Sequence, residues 1–191
     1  MTTFFILVIA AAAILYGWHA AIVSRRNAVA EALGGVDAQL QQRHDLIPNV
    51  LAIAKRFMQH ESDLFARITQ LRSAAAGMAG ERAFGQIGEK LRIESQLGES
   101  VGRLFALAEG YPQLKSDATM VEAQRSYQEV ETNIAAARRF YNSAVGRLRN
   151  AVEIYPGPAL ARLAGVTALP PFFEAAESAR GPVSAQDTLA G

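Results

Sequence analysis

Apolar residues recur at intervals of three and four from residue 24 to about residue 155, and the strict alternation of a half-buried strand is absent. Four amphipathic helices are predicted. Val29, Leu33, Val36 and Leu40 mark the first, about 25–43, where Gly34 and Gly35 suit a close approach by another backbone. Ile47, Leu51, Ala54, Met58, Phe65, Ile68 and Leu71 mark a second, about 46–77, closed by Gly77 and Gly80. Phe84, Ile87, Leu91, Val101, Phe105 and Ala108 define a third, about 82–109, with Gly98 and Gly102 spaced for close helix packing. The fourth, about 116–154, has the most regular register. Tyr127, Ile134, Tyr141, Leu148 and Tyr155 fall a heptad apart, with Glu131, Arg138, Val145 and Val152 on the second seam, and Pro156 and Pro158 end the run.

Ahead of these lies a stretch of a different kind. Phe4 to Val23 contains no Asp, Glu, Lys or Arg, and at ~1.5 Å per residue it spans roughly 30 Å, the hydrocarbon thickness of a bilayer. Trp18 suits the membrane interface, and Arg25 and Arg26 follow at once. A secretory signal peptide is the rival reading, but positive charge before the run is missing and Ala11–Ala13 lies in mid-run. The expected architecture is therefore all-α. A short extracytoplasmic tail (1–3) precedes a transmembrane helix (4–23), which continues into an antiparallel four-helix bundle (24–155). Arginines on the C-terminal flank put the bundle on the cytoplasmic side of the membrane, with the N-terminus outside.

QQRHDLIPNV, residues 41–50, interrupts the pattern with a proline. Proline is tolerated in the first turn of a helix and breaks an interior. With Asp45 as N-cap and Leu46, Ile47 and Pro48 in the first turn, the stretch reads as the corner between the first two helices. A kinked continuous helix is the alternative.

The chain has 191 residues, no cysteine and a formal net charge of +1, so thiolate chemistry is excluded and nothing draws it generally to nucleic acid. His44 and His60 have no metal-ligand spacing, and neither a phosphate loop nor a nucleophile–base pair is evident. No cofactor, metal or small-molecule substrate is expected. Charges within the apolar stripes are more informative. Arg43 lies in line with Leu40 and Ile47, Glu61 lies between Met58 and Phe65, and Glu131 and Arg138 occupy the seam of the fourth helix. Lone buried charges are costly, so these residues should be paired. Counting turns from a common end brings Arg138 within reach of Glu61. Such a cluster is either an internal ion pair that fixes register or a ligand site between helices.

The apolar segment 156–177 is expected to pack on the bundle base or on the membrane surface, and 178–191 to form a disordered tail.

QLQQRHDLIPNV, the His60–Glu61 pair, YPQLK at 111–115, ETNIAAARRFYNSAV at 131–145 and the apolar end FFE resemble, in this order, the LemA family of bacterial membrane proteins over about residues 24–176. The resemblance implies one N-terminal membrane helix, a four-helix bundle and no established catalytic activity. A branch of that family is associated with magnetosome membrane organelles, which implies a part in membrane organisation. Its motif positions here are Arg43, Asp45, Pro48, Asn49, Glu61, Glu131, Arg138, Tyr141 and Asn142. Gln41 and Gln42 depart from the basic residues usual before the arginine, and Ala123 departs from a usual leucine. The expected function is that of a non-enzymatic, membrane-anchored scaffold or adaptor acting on membrane proteins or by self-association. A sensor or ligand-binding bundle using Glu61 and Arg138 is the alternative.

Overall fold

The computed structural model describes residues 1–78 and 84–173, and every regular element within them is helical. In chain order these are α1 (Thr2–Lys55), α2 (Ser62–Gly77), α3 (Phe84–Ala108), α4 (Pro112–Lys115), α5 (Ala118–Glu153) and α6 (Gly157–Leu160). The tail expected at 178–191, and the last residues of the apolar segment 156–177, lie outside the described residues.

α1 is one unbroken helix of 54 residues, about 81 Å long at ~1.5 Å per residue. This corrects the corner expected at 41–49, and with it the helix boundaries 25–43 and 46–77. Pro48 lies inside the helix. A proline there removes the N–H that would bond to the carbonyl four residues back. That carbonyl belongs to His44, and Arg72 Nε on α2 donates to it at 3.0 Å. A neighbouring helix thus satisfies the group that the proline orphans. The chain turns instead at residues 56–61, where Met58 is fully buried. Asp45 caps nothing; it is exposed on α1 and accepts a hydrogen bond from Gln41 Nε2 at 2.9 Å. The cap chemistry appears elsewhere, at Asp117, whose carboxylate accepts from the amides of Thr119 (2.9 Å) and Met120 (3.1 Å) to start α5.

Arg72→Ala should cost about 1–2 kcal/mol, because it leaves a partly buried carbonyl without a donor. The cost should shrink in a Pro48→Ala background, where the restored N–H takes over. Urea unfolding of the four members of this cycle measures the coupling, and equal costs in both backgrounds would show that the two residues act independently.

α5 runs antiparallel along α1 for most of its length. Trp18 Nε1 donates to the carbonyl of Ala151 at 3.2 Å near one end, and Arg43 meets Glu131 further up. The α2–α3 pair flanks the distal half of α1, with Asp37 beside Lys90 and Arg43 beside Glu94. Consecutive long helices alternate in direction, as an antiparallel bundle requires.

Below α2 and α3 the α1–α5 pair is covered by the chain after α5. Ala161, Ala164, Val166 and Phe173 join Ile22, Val29, Val36, Ile134 and Leu148 in one apolar cluster. Tyr141 Oη donates to the Pro171 carbonyl at 3.0 Å. Asn142 holds Phe173 at both backbone groups, donating to its carbonyl (3.0 Å) and accepting from its amide (2.8 Å). Of the two expectations for this segment, packing against the bundle is observed over 161–173. Gly165 has φ +73°, and the guanidinium of Arg26 fills the space where a side chain would be, so this turn requires glycine.

Gly34 and Gly35 do not mark a close backbone approach. Both are exposed, and a methyl group on either would meet open space.

The first part of α1 stands bare. Phe4, Phe5, Ile6, Leu7 and Ile9 are each 60% exposed or more, and the helix is long and apolar enough to cross a membrane. The bare stretch ends at Gly17, since Trp18 is already half-buried against α5 and Ile22, inside the span expected at 4–23, is fully buried within the bundle.

Candidate functional site

Two apolar clusters fill the bundle. The distal one joins Ile47, Val50 and Ala54 of α1 to Phe65 and Ile68 of α2, Leu97 and Val101 of α3, and Met120 and Tyr127 of α5. The other, nearer the bare end of α1, takes α1 up to Leu40, Ile87 of α3 and α5 from Val130 onward. Between them every long helix contributes a polar group to one layer: Arg43 and His44 from α1, Arg72 from α2, Glu94 from α3 and Glu131 from α5.

Arg43 is at the centre and is fully buried. Its Nη1 donates to Glu131 Oε1 at 2.9 Å. Nη2 donates to the Glu94 carbonyl at 2.9 Å and also meets the Glu94 carboxylate. His44 Nε2 lies 3.1 Å from Glu94 Oε1. Gly98 makes room for this arrangement, because a methyl group there would come within 3.0 Å of Arg43 Nη1. Gly102, its expected packing partner, faces open space.

The charges explain one another. Burial works against the Arg43 cation, but Glu94, Tyr127 and Glu131 outweigh it and hold its pKa above the ordinary value. Burial likewise opposes the Glu94 carboxylate, yet the His44 hydrogen bond and the Arg43 charge hold its pKa below the usual carboxylate range. The two carboxylates are placed differently: the Glu94 side chain is 1% exposed, whereas that of Glu131 is 35% exposed. Burial pushes the Tyr127 phenol up, so it stays neutral beside the pair. One turn further out, Lys90 is buried and bonds to Asp37 Oδ1 at 2.7 Å.

Of the charges picked out from the sequence, Arg43 and Glu131 are paired, with each other and through Arg43 with Glu94, partners that counting turns did not name. Arg138 and Glu61 do not pair. Glu61 precedes the first turn of α2 at the distal end of the bundle, because α2 begins at residue 62 and not 46. Arg138 sits lower, with its guanidinium 5.1 Å from the centre of the Phe173 ring. Burial and the Arg43 charge depress its pKa, opposed by Glu131 and Glu94.

The remaining motif residues divide by the face they present. Asp45, Pro48 and Asn49 point to solvent from α1. Tyr141 and Asn142 hold the return segment, and burial raises the Tyr141 phenol to about 12. At the base, Arg25 is exposed, while Arg26 Nη1 donates to the Ala164 carbonyl at 2.9 Å and fixes the same segment from α1.

Chemically the layer pairs its charges with one another and is suited to fixing helix register, while Arg43 Nε and the Tyr127 hydroxyl are buried without a hydrogen-bond partner among the described residues. The clefts beside Phe65 and Thr69, beside His19 and Asn27, beside Gly35 and Phe140, beside Asp45 and Glu129, and beside Phe105 and Val121 are lined by residues other than Arg43, His44, Glu94 and Glu131.

No curated protein matches the chain. The family model of the LemA family matches residues 32–186, which include the polar layer, all of α2 to α6 and the return segment. The chain therefore belongs to the LemA family.

Proposed function

We propose that the protein is a non-enzymatic scaffold anchored in the bacterial inner membrane, holding a rigid helical bundle at a set height and orientation. The observation that carries this reading is the continuity of α1. Its bare apolar end and the central helix of the bundle are the same helix, with no linker between them. A rod of this kind places the turn at 56–61 roughly 57 Å above the level of Gly17, at ~1.5 Å per residue over the intervening helix. Arg25 and Arg26 on the C-terminal flank favour a cytoplasmic bundle with the N-terminus outside.

The internal polar layer supports a structural role for its charges, because they are engaged with one another rather than turned toward a cleft. A sensor built on Glu61 and Arg138 finds no support, since the two residues lie at different levels of the bundle.

Photo-crosslinking in intact cells tests the scaffold reading. A photoreactive residue at exposed Gln59 or Gln113, both at the distal end, should give discrete adducts with the same chain or with membrane proteins. The same group at Gly35, halfway down the bundle, serves as the comparison. Adducts no different from those at Gly35, or none above background, would count against a distal docking role.

A further inference from the structure

The base of the bundle carries an apolar surface that its own fold leaves uncovered. Tyr155 is 84% exposed, Leu163 75% and Ile154 58%. Tyr155 continues the heptad register of α5, but the helix ends at Glu153 and the side chain falls outside the core. These residues lie toward the end where α1 leaves the bundle: Ile154 and Tyr155 follow Ala151, which Trp18 bonds, and Leu163 precedes Ala164, which Arg26 bonds.

The apolar run of α1 says what covers this surface. The uncharged stretch continues to Val23, and Phe4–Val23 spans roughly 30 Å, the hydrocarbon thickness of a bilayer, at ~1.5 Å per residue. The last part of that run is not bare, since Trp18 bonds to Ala151 near the end of α5 and Ile22 is buried in the cluster that α5 and the segment after it complete. Whatever follows Gly17 into the bilayer must bring the end of α5 along. The groups that would enter first are Ile154 and Tyr155, with Leu163 above them. Apolar residues backed by an aromatic ring are suited to the headgroup and acyl boundary, where interfacial segments bury about 5–10 Å.

The charges around this base agree. Arg25, Arg147 and Arg162 are exposed at this end, with Glu153 the exposed acid on the last turn of α5. A basic collar just above an apolar tip matches a surface of anionic headgroups.

We propose that the base of the bundle, through Ile154, Tyr155 and Leu163, is a lipid-binding surface bedded in the membrane interface, so that the bundle is held by two contacts with the bilayer rather than one. This rests on reading the bare part of α1 as a membrane span. Two attachments fix the tilt of the rod as well as its position.

The chain has no cysteine, so single Tyr155→Cys, Leu163→Cys, Ala12→Cys and Ser116→Cys substitutions each introduce one thiol for a spin label. The full chain is reconstituted into vesicles of phosphatidylcholine and phosphatidylglycerol. Collisions with oxygen, which concentrates in lipid, are compared with collisions with a water-soluble nickel complex. The label at 12 should lie deepest, those at 155 and 163 at the interface with 155 the deeper, and the label at 116 in water. The oxygen-to-nickel ratio at 155 should exceed that at 116 severalfold. Water exposure at 155 and 163 equal to that at 116, with 12 still in lipid, would overturn the proposal and leave the anchor standing. Water exposure at 12 as well would instead remove the anchor.

Discussion

Replacing Arg43 by methionine should destabilise the protein by about 3–5 kcal/mol, the general cost of removing one partner from a buried ion pair. The penalty falls on Glu94. Its carboxylate is buried between the two apolar clusters and would keep only His44 as a side-chain partner, whereas Glu131 can turn toward water. Replacing Arg43 and Glu94 together by methionine should recover most of the loss, since no uncompensated charge remains. The pH dependence has a definite sign. Glu94 has its pKa depressed in the fold, so its contribution is present above the unfolded carboxylate value and is lost as pH falls below about 4.5 through the folded value. In the Arg43→Met chain burial gains weight over the remaining hydrogen bond, so this acid-side loss should shrink. Urea unfolding of the detergent-solubilised chain from neutral pH down to about pH 2.5 checks both statements, the upper limit of the loss being the ordinary carboxylate range of about 4–4.5. An Arg43→Met variant as stable as the parent would show that the layer is not held by this pair.

Ending the chain after Tyr155 should cost on the order of 5 kcal/mol, from the lost burial of Val166 and Phe173 with smaller terms from Ala161 and Ala164. The effect should be local. Below the polar layer the return segment is the third wall of the core, while above it α2 and α3 serve that purpose. Amide exchange should therefore accelerate in α1 over 22–40 and in α5 over 134–151, and stay slower around Ile47–Ala54 and Phe65–Ala75. Asn142→Ala, which removes both bonds to Phe173, should reproduce a weaker form of the pattern. Uniform acceleration along the whole bundle would mean that the two clusters unfold as one.

The apolar register of α5 was legible in the sequence, because a long heptad run leaves little choice of face. The corner expected at 41–49 is absent for an identifiable reason. The cost of a proline is local, whereas its relief here comes from Arg72, which lies far along the chain. A signal against the corner was present. Val36, Leu40, Arg43, Ile47, Val50 and Ala54 keep their three-and-four spacing without a change of phase across Pro48, and a hairpin would have reset it. The same error displaced Glu61, since turns counted from residue 46 placed it deep in a helix that starts at residue 62. Glu94 was missed although it follows the rule that found Arg43. It lies in the stripe between Leu91 and Leu97, and its neighbourhood with Gly98 was read only as close packing. The return segment has no periodicity to announce it, because its contacts run through backbone groups of Pro171 and Phe173 that no side-chain pattern encodes.

α1 is a single rod from its bare apolar end to the distal end of the bundle. Pulsed electron-electron distance measurement on the reconstituted chain, spin-labelled through Ala12→Cys and Ala52→Cys, tests this directly. A continuous helix places the labels roughly 60 Å apart with a narrow distribution, at ~1.5 Å per residue. A peak near 40 Å, which a reversal at 41–49 would give on the same rise, or a broad distribution from a flexible joint, would contradict it.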